Sequence, residues 1–168
     1  MSTFVALGNS KNPFPRLLTA VDTLAAAGHL PNPIVVQHGH STFESRHCIK
    51  HDFLSMTDFD AAIAGARLII LQAGGGSVLT ALRCGKVPVL VPRRASLGEV
   101  VDDHQIENAR NLEALGGVVI AWDTDELIPC IKEALHRQEK TEASHESPAV
   151  IAMVSEDLRV IASLGKLR

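Results

Sequence analysis

Short apolar runs alternate with longer stretches of helical period along almost the whole chain. Thr3 to Leu7 predicts a first strand, with Gly8-Asn9-Ser10 turning the chain after it. Pro13 to Ala27 predicts a helix, stopped by Gly28. Ile34 to Gln37 predicts a second strand, followed by a polar loop, His38-Gly39-His40-Ser41, and Ile49 to Phe53 a short third. Asp58 to Ala64 carries Phe59, Ala62 and Ile63 at helical spacing. Leu68 to Leu71 and Val87 to Val91 are continuous apolar runs, the signature of strands buried on both faces. Asp102 to Leu115 predicts a helix capped by Asp102 or Asp103 and stopped by Gly116-Gly117. Val118 to Ala121 predicts a last strand, and Asp125 to Arg137 the next helix. Residues 139–147 are polar and predict a linker. Pro148 to Leu164 predicts a final helix, with Val150, Ile151, Val154, Leu158 and Ile161 on one stripe. The regular alternation argues an α/β fold: a Rossmann-like, mostly parallel sheet with helices on both faces. The expected organisation is one domain over 1–138, a linker over 139–147 and a terminal helix over 148–168.

The centre of the chain is the most informative part. Between the runs at 68–71 and 87–91 stand Gly74, Gly75 and Gly76, then Ser77 where a helix starts, continued by Val78, Leu82 and Arg83. Strand, glycine turn, helix, strand is a βαβ unit. Its turn sets bare backbone N–H groups at a helix N-terminus, a geometry that suits a phosphate. The alternative is a turn that only closes a tight connection.

Composition narrows the setting. A chain of 168 residues is long enough for a real core. A formal net charge of −3 gives no reason to expect nucleic-acid binding. Cys48, Cys84 and Cys130 are widely separated singles, so neither a zinc ribbon nor a redox dithiol is implied, and a reducing compartment is expected. No apolar run reaches the roughly 18 residues that span a bilayer. The N-terminus runs straight into a strand pattern, without a signal peptide.

Ligands of such sheets bind beyond the carboxyl ends of the strands. Four polar loops fall there: Gly8 to Asn12, His38 to Phe43, Gln72 to Ser77, and Pro92 to Gln105. The dinucleotide fingerprint is missing, since Gly8-Asn9-Ser10-Lys11-Asn12 is not Gly-x-Gly-x-x-Gly, and no Walker lysine follows the glycines. NAD and ATP enzymes, including Rossmann-type epimerases and reductases, are therefore disfavoured. His38-x-His40 lacks a third ligand at suitable spacing, so no metal is expected. Arg93-Arg94 is a basic pair that suits either solvent or an anion.

Several ordered motifs resemble a known family. Phe4-Val5-Ala6-Leu7-Gly8, Pro13-Phe14-Pro15-Arg16-Leu17 and Val36-Gln37-His38-Gly39-His40-Ser41 follow its opening. Ala66 to Ile70, Ala73-Gly74-x-Gly76-Ser77, Ala81-Leu82-Arg83-x-Gly85-Lys86-x-Pro88 and Val91-Pro92-Arg93-Arg94 follow its centre, and Glu99-x-x-Asp102-Asp103-His104-Gln105-x-Glu107-x-Ala109 closes it. Over residues 3 to about 122 the chain resembles the C-terminal half of GT-B glycosyltransferases of the family 28 type. It is similar above all to the stand-alone small subunits of two-component transferases: the N-glycan UDP-GlcNAc transferase subunit and exopolysaccharide subunits of PssE type.

The resemblance implies half of a GT-B fold and a UDP-sugar donor site, with no cofactor beyond that donor. Gly8, Gln72, Gly74, Gly75, Gly76, Ser77, Thr80, Arg93, Arg94, His104 and Gln105 would line it. The glycine turn would hold the diphosphate, and Gln105 the sugar hydroxyls. Two positions depart from the family: Gln72 stands where relatives have a histidine near the diphosphate, and Thr80 where many have an acid on the ribose. The resemblance also implies a partner, a membrane-associated subunit carrying the N-terminal half with the acceptor site and the base. It would recruit this cytoplasmic chain to the membrane face; an isolated copy is open to self-association. A non-catalytic scaffold relative is the alternative that the two departures raise.

Overall fold

In a computed structural model that describes residues 2–144, the apolar runs form one six-stranded sheet. Its strands are β1 (Thr3–Ala6), β2 (Ile34–Gln37), β3 (Ile49–His51), β4 (Leu68–Gln72), β5 (Val89–Val91) and β6 (Val119–Ile120). Every ladder is parallel, and the order is β3-β2-β1-β4-β5-β6. The helices are α1 (Pro15–Ala26), α2 (Met56–Gly65), α3 (Gly75–Arg83), α4 (His104–Leu115) and α5 (Leu127–Ser144). This is the Rossmann-like architecture the alternating pattern predicts, with winding that reverses between β1 and β4.

Strand alternation divides the core into two layers. Val5, Ile70, Val89 and Val91 pack with Leu17 and Val21 of α1 and Leu127 and Ile131 of α5. Phe4, Ile69, Leu71 and Leu90 pack on the opposite face with Ile63 of α2, Val78 of α3 and Leu112 of α4. Each fully enclosed Leu, Ile or Val contributes about 1.5–3 kcal/mol, so these two layers dominate the fold's stability.

Local chemistry sets the helix ends. Pro15 opens α1, where a missing N–H costs nothing, and Gly28 turns the chain after it at φ 72°. Ser55 caps α2 by accepting from Asp58 N at 3.1 Å. Gly116, at φ 80°, ends α4.

Two expectations need correction. The third strand stops at His51, two residues short of Phe53, and beyond it Leu54 N donates to the side-chain Oε1 of Gln37 at 2.9 Å. The polar stretch from Glu139 continues α5 as far as Ser144 rather than forming a linker. Polarity alone does not end a helix, and residues 138–144 contain no glycine or proline. Buried Gln138 also fastens this part of α5, accepting from Val87 N at 2.9 Å and donating to Gly85 O at 3.3 Å. Residues 145–147 and the helix expected over Pro148 to Leu164 lie outside the described residues. No described helix is long and apolar enough to cross a membrane.

Candidate functional site

The four loops named from the sequence meet over the reversal between β1 and β4. Gly8 follows β1, and Gln72 ends β4. The loop after β2 presses on the first, since a Cβ on Gly39 would stand 2.9 Å from Gly8 O. Phe14 N donates to Ser41 Oγ at 3.0 Å, joining the same two loops again. The loop after β5 reaches across through Arg93.

At the centre, Gly74 N donates back to Gln72 O at 2.8 Å and turns the chain sharply into α3. Gly74 is the N-cap and offers no side-chain acceptor, and the first turn holds no acidic residue. The leading N–H groups of a helix have no partner within it. Those of Gly75, Gly76 and Ser77 are therefore available, at the positive end of the helix dipole. Gly75 and Gly76 are exposed, with open space where a Cβ would stand. Thr80 sits one turn further along and donates its hydroxyl to Gly76 O at 3.3 Å.

Gln72 is 8% exposed and lies beneath this mouth. Its Oε1 accepts from Arg93 Nε at 2.6 Å and from Gln105 Nε2 at 3.4 Å. The opposite amide orientation would set donor against donor, so the NH2 end must face the other way. There it meets glycine: an ideal Cβ would fall 1.9 Å from Nε2 on Gly8 and 3.0 Å from it on Gly74. Gly8 also has φ 70°, so two independent constraints require glycine. Among the described residues no protein group accepts from Gln72 Nε2. Among the described residues no fully buried polar side-chain atom lacks a partner, so this nitrogen keeps access to solvent.

The two arginines sit elsewhere than a ligand-facing pair would. Arg93 is 1% exposed, and its Cζ lies 4.5 Å from the Phe14 ring centroid. NH1 donates to the carbonyls of Asn12, Pro13 and Glu99, and NH2 to Leu7 O. Burial pushes its guanidinium down to about 10, partly opposed by the Glu99 charge, so it stays cationic at neutral pH. Arg94 turns away from the glycines to Asp123, at 3.1 Å, and to Trp122 O. Both guanidinium groups are engaged by the protein rather than presented at the mouth. Glu99 closes the loop from Arg93 that the resemblance sets toward the nucleotide and sugar, and it is buried. It takes Arg16 Nε and NH2 at 2.9 and 3.0 Å and Arg94 N at 3.0 Å. Arg16 has no place in the expected site, although both residues stand in motif stretches. The missed signal was a carboxylate and an arginine in two segments bound for one crevice.

With that geometry in place, the sequence profile of the glycosyltransferase family 28 C-terminal domain matches residues 4–158. The chain belongs to this family. It is 33% identical over 127 residues to the UDP-N-acetylglucosamine transferase subunit ALG13 of Yarrowia lipolytica, covering 71% of this chain and 61% of that protein. It is 28% identical over 149 residues to the UDP-N-acetylglucosamine--N-acetylmuramyl-(pentapeptide) pyrophosphoryl-undecaprenol N-acetylglucosamine transferase of Bacteroides fragilis, covering 87% of this chain and 34% of that enzyme. This chain thus spans less than two thirds of each relative. In fold it resembles the glycosyltransferase of kitacinnamycin, with a TM-score of 0.63 at 19% identity, covering 95% of this chain and 39% of that one.

The remaining members of the predicted site lie around the family 28 domain's crevice. Gln105 is half-buried on α4; its Oε1 accepts from Arg93 N at 3.1 Å while its Nε2 leans on Gln72. His104 begins α4 at the rim with its side chain 75% exposed, near Asp102 and Glu107. Asp103 is the N-cap position, but its carboxylate accepts from Ala95 N instead, and Asp102 takes His104 N. His38 places Nδ1 2.7 Å from Ser41 O and Nε2 3.3 Å from Asp52. Among the described residues no three His, Cys, Asp or Glu side chains gather as a metal site.

Proposed function

We propose that this domain binds the diphosphate of a UDP-sugar at the mouth of α3. In this reading it is the donor-binding subunit of a two-component glycosyltransferase acting on a lipid-linked or polysaccharide acceptor. The observation that carries the reading is the uncapped α3 N-terminus at the sheet's reversal, with the Gln72 NH2 group beside it. Backbone N–H groups, a helix dipole and an amide donor converge where an anion is best held. Departure of UDP from the sugar leaves negative charge on the diphosphate, and preset donors there stabilise it. Gln105, next to Gln72, carries an amide that can both donate to and accept from sugar hydroxyls. The acceptor surface and the base belong to a partner that supplies the other half of the GT-B fold. That partner also holds the complex at the cytoplasmic membrane face. The Yarrowia lipolytica relative's designation as a subunit supports this arrangement.

Calorimetric titration with UDP tests the reading. Gly75 has room for a side chain, so Gly75→Asp folds normally but places a carboxylate in the mouth. UDP binding by the wild type and its loss in this variant are the expected result; unchanged affinity rejects the site. A second reading, a scaffold relative without donor chemistry, is favoured by one observation: Arg93 and Arg94 are both spent on protein groups. Gln72→His distinguishes the two in the assembled complex. Gain of transfer marks a weakened enzyme, whereas an inactive complex that stays inactive marks a scaffold.

A further inference from the structure

We infer that Arg93 is a positioning residue: its Nε fixes the Gln72 amide with the NH2 turned into the α3 mouth, making Gln72 a donor-only lining that selects an anion. The inference deepens the donor reading, and its ligand-binding arm rests on it. A glutamine amide has two faces, one donating and one accepting, and a free one presents either. Here the choice is removed. The Arg93 plane is fixed before it meets Gln72, by stacking on Phe14 and by NH1 and NH2 on the carbonyls of Leu7, Asn12, Pro13 and Glu99. Of its nitrogens only Nε meets a side-chain acceptor, Gln72 Oε1, at 2.6 Å.

The same residue orients the neighbouring amide. Arg93 N donates to Gln105 Oε1, which turns Gln105 Nε2 toward the same Gln72 oxygen. Gly8 completes the device, because any Cβ there would occupy the place of the Gln72 NH2 group. A charged donor on one end of an amide polarises it, and so strengthens the N–H groups at the other end. The guanidinium thus acts on the mouth through Gln72 without reaching it.

Two measurements test this. In ligand-free protein with 15N-labelled glutamine, the Gln72 NH2 protons should show NOEs to the α-protons of Gly8 and Gly74. Arg93→Lys, which keeps the charge but loses the planar fork, should abolish them; NOEs that persist in the variant overturn the inference. This arm needs no ligand, so it stands even if wild-type protein fails to bind UDP, a result that would reject the donor reading alone.

The second arm is a UDP titration of Arg93→Lys, Gln72→Leu and the double variant. Each single change should weaken binding about tenfold, the size of one charge-assisted hydrogen bond. The double variant should be no weaker than Gln72→Leu, because Arg93 acts through Gln72. Losses that multiply overturn the inference, since they make Arg93 a general support of the fold. Should Arg93→Lys fail to fold, Gln72→Glu replaces it. The carboxylate keeps a partner for Arg93 Nε but turns an acceptor to the mouth. Loss of UDP binding at undiminished melting temperature supports the inference, and retained binding overturns it.

Discussion

A single methyl group at Gly8 would meet the Gln72 amide directly. A left-handed backbone costs a non-glycine residue roughly 1–2 kcal/mol, and overpacking adds a comparable amount. Gly8→Ala should therefore lower stability by about 2–3 kcal/mol in urea denaturation and also displace Gln72, so that UDP affinity falls with it. A stability change without an affinity change would detach Gly8 from the site. Gln105→Ala is expected to behave differently. It leaves Arg93 N without its acceptor and removes an amide from the sugar side, so binding of a UDP-sugar should fall by about 1–3 kcal/mol while UDP changes little. Equal losses for the two ligands would contradict that placement. The glycine turn was legible because three glycines between two apolar runs have few other uses. The arginine pair was not. Arg93 and Arg94 look alike in sequence, but successive side chains of extended backbone point opposite ways. Arg94 has φ −118° and ψ 129°, so one arginine enters the crevice floor while its neighbour faces Asp123.

Among elements, the segment from Arg93 to Asp103 depends on borrowed anchors rather than on its own ladder. Glu99 joins it to Arg16 at the start of α1, and Asp123, ahead of α5, holds Arg16 and Arg94 together. Burial works against the Arg16 charge, but Glu99 and Asp123 more than offset it and leave its pKa raised. Glu99→Ala removes the bidentate partner of Arg16 and the acceptor of Arg94 N, leaving Arg16 with Asp123 and Pro92 O. The expected loss is about 1–3 kcal/mol, and an unchanged urea midpoint would show the segment to be held otherwise. Asp123 is held below its ordinary carboxylate value of 3.8, first by the Thr124 N–H and then by Arg94 and Arg16. A depressed carboxylate adds stability above its unfolded value, and that contribution is lost as pH falls through the folded one. Asp123→Asn should therefore flatten the decline in stability below about pH 4 and leave the neutral range less stable throughout. A variant whose acid limb parallels the wild type rejects this. Element identity came easily from period and glycine stops. The extent of α5 did not, because the contact that secures Gln138 comes from Gly85 and Val87, some fifty residues away.

At the scale of the whole molecule, both core layers, among the described residues, are built from residues between Phe4 and Ala134. A chain ending at Ser144 is expected to fold and bind UDP as the full chain does. It would lack the sequence expected to form a terminal helix with Val150 to Ile161 on one stripe, and that stripe is assigned here to docking on the proposed partner. Loss of co-purification with intact folding supports that assignment; unfolding instead would make the stripe part of the core. The sheet order itself has a kinetic consequence. One enclosed guanidinium, in the segment after β5, ties together the segment after β1 and the end of β4 before any ligand arrives. Ordering a flexible side chain at binding costs about 0.5–1.5 kcal/mol, and here that ordering is complete at folding. Encounter with the nucleotide should then resemble collision with a rigid surface, so single-step stopped-flow traces are expected. Variants that loosen the tie leave only a fraction of molecules competent, and the apparent affinity falls by that fraction. Their signature is a slow phase whose rate is independent of UDP concentration at saturation.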